Sequence, residues 1–167
     1  MKQARSCRCD FLTEPRHPAG VHRYQPQYQP EEAATPISTP RPVLVPHSSN
    51  LVNATITVNA ENYYHIPFSV DTNVMLDVII IGSFTASGGS GNDIIVLLLD
   101  DIAYTNWVNR HQVTAIYNSG QLTTATINIP ITISGTYHVV FSNRFSIIST
   151  KTVSTTIDLK WTEIEYR

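Results

Sequence analysis

Three carboxylates stand close together in the middle of this chain, at Asp93, Asp100 and Asp101. Carboxylate oxygens are hard donors. With the carbonyls of the Ser87–Asn92 loop they could gather the roughly six to eight oxygens that calcium takes. No D-x-D-x-D-G repeat frames them, and Asp100 and Asp101 are adjacent, so on a strand they point to opposite faces. Paired-carboxylate catalysis needs both groups on one substrate. The expected role of Asp93 and Asp100 is to bound a strand and cap turns, leaving calcium as the lesser reading.

A second constellation is polar and aromatic: Tyr104, Asn106, Trp107, Asn109, Arg110 and His111. A flat apolar ring beside planar donors suits a carbohydrate or protein contact. The competing reading is that Trp107 plugs an open end of the domain. If any surface binds a ligand, it is expected here.

The remaining candidates carry less. Ser87-Gly88-Gly89-Ser90-Gly91 lacks the Gly-Lys-Ser/Thr end of a phosphate loop. The six histidines are scattered at 17, 22, 47, 65, 111 and 138, without metal-ligand spacing in the β region. No strand-turn-helix elbow frames a serine nucleophile. Cys7 and Cys9 are one residue apart, and zinc would need His17 and His22 to complete the site, so two free thiols are expected. Asn53-Ala54-Thr55 is a glycosylation sequon, meaningful only on a secreted chain. These readings together predict a non-enzyme without a cofactor.

Charge excludes one partner class. The formal net charge of -2 gives no basic excess with which to displace counterions from nucleic acid. The longest apolar run, Ile94–Leu99, falls far short of the roughly 20 residues that span a bilayer. Lys2, Arg5 and Arg8 are followed by no apolar stretch, so no signal peptide is expected. The compartment is then cytoplasmic by default, or secreted if the sequence is truncated at its N-terminus.

The elements that must position these residues divide the chain at about residue 48. Residues 1–48 hold Pro15, Pro18, Pro26, Pro30, Pro36, Pro40, Pro42 and Pro46. Proline removes a backbone donor and fixes φ, which predicts a disordered arm that joins neither a helix nor a central strand. Residues 49–167 alternate with period two. Tyr64, Ile66, Phe68 and Val70 share one face of a strand, as do Val74, Leu76, Val78, Ile80 and Phe84. Ile94–Leu99 is apolar on both faces, as in a mid-sheet strand covered on its outer side. Further strands are expected at Val113–Tyr117, Leu122–Ile129, Thr136–Ser142 and Lys151–Trp161. Turns are expected at Ser87–Asn92, Asn118–Gly120 and Ser134-Gly135, and at most one helical turn between Asp100 and His111. About eight strands with short turns predict an all-β, antiparallel β-sandwich with jelly-roll-like crossings.

One segment is specific enough to suggest a family. Gly135, Tyr137, Phe141, Ser142, Asn143, Phe145 and Ser146, followed by Lys151 and Val153, form the pattern Gly-x-Tyr-x-x-x-Phe-Ser-Asn-x-Phe-Ser with a later Lys-x-Val. It resembles the end of the GOLD (Golgi dynamics) domain of early-secretory-pathway cargo receptors. The resemblance implies a β-sandwich used for protein–protein or protein–lipid contact, not catalysis. The family's cysteine before Phe-Ser-Asn is Val140 here, and its disulfide partner is absent too. The family's membrane helix has no counterpart either, so the fold and a binding role carry over and the receptor function does not. Read physically, Gly135 would supply a positive-φ turn, Tyr137, Val139 and Phe141 a core face, Ser142 and Asn143 a hydrogen-bonded corner, and Lys151 an edge or ion-pair position.

The expected function is a non-catalytic module that binds a protein partner, or a lipid, through loops at one end of the sandwich. Two alternatives stand beside it. One is an assembly subunit with a docking N-terminal arm and Thr-rich sheet faces (Thr123, Thr124, Thr126, Thr152, Thr155, Thr156). The other is a carbohydrate-binding accessory domain using Tyr104 and Trp107.

Overall fold

A computed structural model describes residues 39–167, together with Gln27. Cys7, Cys9, His17, His22 and the proline-rich arm as far as residue 38 lie outside the described residues. Thr39–Arg167 is one compact unit. Its elements are β1 (Pro42–Val58), β2 (Tyr63–Val70), β3 (Leu76–Ser87), β4 (Ile94–Asp100), α1 (Asp101–Val108), β5 (Tyr117–Leu122), β6 (Thr124–Pro130), β7 (Gly135–Ser142) and β8 (Lys151–Tyr166).

The strands form two four-stranded sheets, in the orders β1-β8-β3-β6 and β2-β7-β4-β5. All pairings are antiparallel and nested: β1 with β8, β2 with β7, β3 with β6, β4 with β5. This is the jelly-roll path, and the all-β sandwich of eight strands expected from period-two patterning is the architecture found. The inner faces close on Ile80, Phe84, Val96, Leu98, Phe141, Val153 and Ile157, all buried. β4 lies inside its sheet with its outer face covered, as the two-sided apolar run required.

Gly82 is needed for close approach. It sits in β3 between Ile157 of β8 and Ile127 of β6. A Cβ there would overlap the Thr156 carbonyl oxygen and lie 2.8 Å from Ile157 Cα.

Several local expectations are corrected. β1 begins at Pro42, inside the stretch assigned to the arm. Because β1 is an edge strand, Pro42 and Pro46 can sit in it, where a missing donor is tolerated. The strand expected at Val113–Tyr117 falls instead at Tyr117–Leu122, and the expected Asn118–Gly120 turn is part of it. There a bulge opposite Ile95–Leu97 absorbs Gly120 at φ 65°. Side chains replace the lost ladder: Ser119 Oγ accepts from Val96 N–H at 2.8 Å and Asn118 Oδ1 from Gly120 N–H at 2.8 Å. The strand expected from Leu122 starts only after a corner at Thr123. Val74 lies exposed in the turn before β3 rather than on its inner face. Thr155, expected on an outer face, is buried, with its hydroxyl donating to Ser83 O at 2.9 Å. Gly135 is not a positive-φ residue; it opens β7. Asp100 to His111 holds two turns of helix rather than one.

Candidate functional site

The helix explains why the expected ligand loop is built as it is. Asp100 ends β4 and caps α1, its Oδ1 accepting from Ala103 N–H at 2.7 Å. Capping turns the chain back across the outer face of the β2-β7-β4-β5 sheet. There Ala103, Tyr104 and Trp107 pack over Leu97, Leu99 and Val140. Period-two strands place His65 and His138 on this same outer face, and the β2–β7 pairing makes them diagonal neighbours.

The aromatic faces are therefore spent internally. Tyr104 stacks on His138 with centroids 3.9 Å apart and on His65 at 4.8 Å. Trp107 meets Tyr63 edge-on at 5.0 Å. The Arg144 guanidinium lies over Trp107 at 3.9 Å and over Tyr63 at 4.7 Å. Its fork also donates to the last helical carbonyls, Trp107 O at 2.8 Å and Val108 O at 3.3 Å. Burial lowers the Arg144 pKa and raises that of the Tyr104 phenol, where Tyr63 adds to the shift.

The other residues of this loop divide between helix ending and surface. Asn109 closes the helix through Nδ2 donating to Thr105 O at 2.9 Å. Asn106 is half-buried and its carbonyl accepts from His111 N–H at 3.0 Å. Arg110 is exposed with φ at 64°. His111 borders an open depression of about 480 Å³ with Trp107, Gln112, Asn118 and Ser142.

Arg144, Tyr63, His65 and His138 were missed in the sequence because Tyr63 and His65 lie on β2, far along the chain from His138 and Arg144 and from the helix they meet. Only strand pairing brings them together. The one legible signal was an aromatic or imidazole group at an outward position on strands whose opposite face reads as core. Arg144→Ala should lower stability by about 2 kcal/mol, since it removes a stacked cation and two donors to helix-end carbonyls. Lysine should not restore it, lacking the planar fork. Urea midpoints together with the near-ultraviolet signal of the tryptophans measure this.

The three carboxylates do not converge. Asp93 Oδ1 accepts from Lys151 Nζ at 2.8 Å, and that hydrogen bond is the main reason its carboxyl pKa is lowered. Asp100 is the helix cap. Asp101 Oδ1 lies 3.0 Å from His138 Nε2. Among the described residues no three His, Cys, Asp or Glu groups assemble as a metal site. The three carboxylates thus serve three different partners and are not gathered on one calcium site. Among these residues, too, no helix is long and apolar enough to cross a membrane.

The Gly135–Val153 segment contains one of the crossings from one sheet to the other. β7 and β8 are both interior strands, and residues 143–150 join them. Phe141 and Tyr137 are core residues, and Tyr137 Oη donates to Ile133 O at 2.6 Å. Ser142 Oγ accepts from Arg144 N–H at 3.4 Å. Asn143 is 0% exposed. Its Nδ2 donates to Val58 O and Asn59 O at 3.1 Å and to Ser149 O at 2.8 Å. Val58 ends β1 and Asn59 follows it, at the crossing from β1 to β2. One amide thus ties both crossings together. Lys151 is buried and paired with Asp93, with its ammonium 5.8 Å from the Phe145 ring.

Beyond this framework the corner turns outward. Ser146 Oγ donates to Ser149 O at 3.0 Å and accepts from Ser149 N–H at 3.1 Å. The two residues held between them, Ile147 and Ile148, are 77% and 90% exposed. They border an open depression of about 540 Å³ with Gly91, Gln121, Phe145 and Lys151. No family model matches this chain, and a search of curated proteins returns no significant match.

Proposed function

We propose that this chain is a non-catalytic β-sandwich module that binds a protein partner through the loops at one end. The observation that carries this is the pair Ile147 and Ile148, projected from a corner whose backbone is tied down by Asn143, Ser146 and Ser149. Two adjacent isoleucines left in water forgo the gain from burial, roughly 1.5–3 kcal/mol each. A fixed loop loses little entropy when it docks, so an apolar pair held there is suited to seat in a partner's pocket. This binding surface lies on the β7–β8 corner rather than on the 104–111 stretch. Tyr104 and Trp107 support a carbohydrate platform poorly, because His138 and Arg144 occupy their faces. The resemblance of Gly135–Val153 to the GOLD domain, a protein- or lipid-binding sandwich, points the same way.

Ile147→Asp combined with Ile148→Asp tests this. Partner capture by the immobilised domain from an extract of its source should fall by tenfold or more, about 1.4 kcal/mol. The melting temperature should stay within about a degree, because both side chains are already solvated. Capture unchanged by the double variant defeats the reading. Binding to protein-free vesicles that the variant abolishes would turn it from a protein to a lipid partner.

A second reading, an assembly subunit, is favoured by one observation. Beyond Leu76 and its partner Thr162, β1 and β8 continue as a two-stranded ribbon. Leu44 and Ile164 are paired on it and both exposed, with Tyr166 beside them. A single monomeric species by light scattering at high concentration argues against assembly.

A further inference from the structure

We propose that Asp101, His138 and His65 form a pH-sensitive clasp that holds α1 against the sheet and lets it lift when the second imidazole gains a proton. This goes beyond the binding role proposed above and does not depend on it.

The geometry permits one neutral arrangement that satisfies every contact. His138 Nε2–H donates to Asp101 Oδ1 over 3.0 Å, which leaves His138 Nδ1 as a lone pair. That lone pair accepts from His65 Nδ1–H across 3.4 Å. The first added proton is tolerated. His138 becomes an imidazolium that donates from both nitrogens, to the Asp101 carboxylate and to the Nδ1 lone pair of His65. The second proton has no place. Two N–H groups would then face each other at 3.4 Å, and two cationic rings would share the face of Tyr104.

The surrounding charges do not relieve this. Helix α1 offers Asp101 and the neutral Tyr104. Asp100, at its head, is spent on the Ala103 N–H. Strand β2 adds Tyr63 beside His65, and the corner adds the cationic Arg144 over Tyr63. Strand β4 presents only the apolar Ile95, Leu97 and Leu99. His65 is accordingly held toward its neutral form, first by burial and then by His138, and its pKa is lowered. A depressed imidazole pKa gives stability that is complete above the ordinary value near 6.5 and is lost as pH falls from there toward the folded-state value. Helix α1 is the element that gives way. It is eight residues long and contains no fully buried side chain. Its departure uncovers Leu97, Leu99 and Val140, an apolar face that is closed at neutral pH.

Hydrogen exchange between about pH 7.5 and about pH 4.5, corrected for intrinsic rates, tests the clasp. Protection of the α1 amides should fall by about tenfold, the effect of one linked proton over one pH unit. The amides of Ile80 and Ile157 should keep theirs. His65→Gln, which cannot gain charge, should abolish the loss. Asp101→Asn removes the anion that tolerates the first proton, so its transition should move to higher pH. Asp101 is exposed, so this variant remains a test even where a His65 change disturbs folding. Unchanged α1 protection in the wild type overturns the proposal. So does an identical loss in His65→Gln, an unmoved midpoint in Asp101→Asn, or loss of α1 and Ile157 protection together.

Discussion

Asn143→Asp should destabilise the domain by at least about 4 kcal/mol, and Asn143→Ala by about 2–3 kcal/mol. The native amide presents its donor to the carbonyls of Val58, Asn59 and Ser149 in a site closed to water. Alanine leaves those carbonyls short of a partner. Aspartate does worse, because an ionised carboxylate offers only acceptors to three acceptors, and the buried Lys151 is already paired with Asp93. The two variants are separable by pH. The fold must raise the pKa of a carboxyl at position 143, so the protonated form is preferred when folded. The aspartate penalty should therefore be smallest below the unfolded carboxyl pKa, grow as pH rises from there, and level off above the folded one. The additional loss on going to alanine should carry no such dependence. Urea unfolding at two pH values distinguishes them, and near-neutral aspartate should cost about 10 °C or more in melting temperature. An unchanged midpoint for Asn143→Ala would mean that the two sheet crossings are held by something else.

Gly82→Ala should be comparably severe, about 3 kcal/mol or more, for a different reason. The added Cβ meets backbone, the Thr156 carbonyl and Ile157 Cα, not the end of a flexible side chain. Relief would require β3 and β8 to separate at the centre of the sheet, where both strands are also paired to β6 and β1. Gly120→Ala is the contrasting case. Nothing stands within 4 Å of its added Cβ, so only the strain of a positive φ remains, and the cost should stay near 1 kcal/mol. Thermal unfolding of the pair separates crowding from backbone strain. Equal losses would show that the β3–β8 spacing yields more readily than close packing allows.

The fold was legible because a sandwich writes a period of two into its strands. Val153, Ile157 and Leu159 face the core and Thr152, Ser154 and Thr156 do not, as alternation required. Alternation failed where side chains replace backbone pairing. Asn118, Ser119 and Gly120 have turn composition, yet their polar atoms serve a bulged strand. It failed again at Pro42 and Pro46, where an edge position excuses the missing donor. Lys151 was expected at an edge or in an ion pair; it is in an ion pair, in an interior strand.

The candidate site was only half legible. Tyr104 and Trp107 were chosen for composition, and composition alone does not say that a ring's face is already taken. His65 and His138 are 73 residues apart, and Arg144 lies 37 residues from Trp107. What the sequence determined by itself was local: strand periodicity and a turn-rich corner at Ser142–Arg144. Those properties follow from neighbours along the chain. Only the tertiary structure decided that Asn143 joins two sheet crossings, that Asp93 belongs to Lys151, and that Ile147 and Ile148 stand in water. Each of these depends on the antiparallel nesting that sets β8 between β1 and β3 and β7 between β2 and β4. That nesting brings together residues whose separation in sequence carries no trace of the contact.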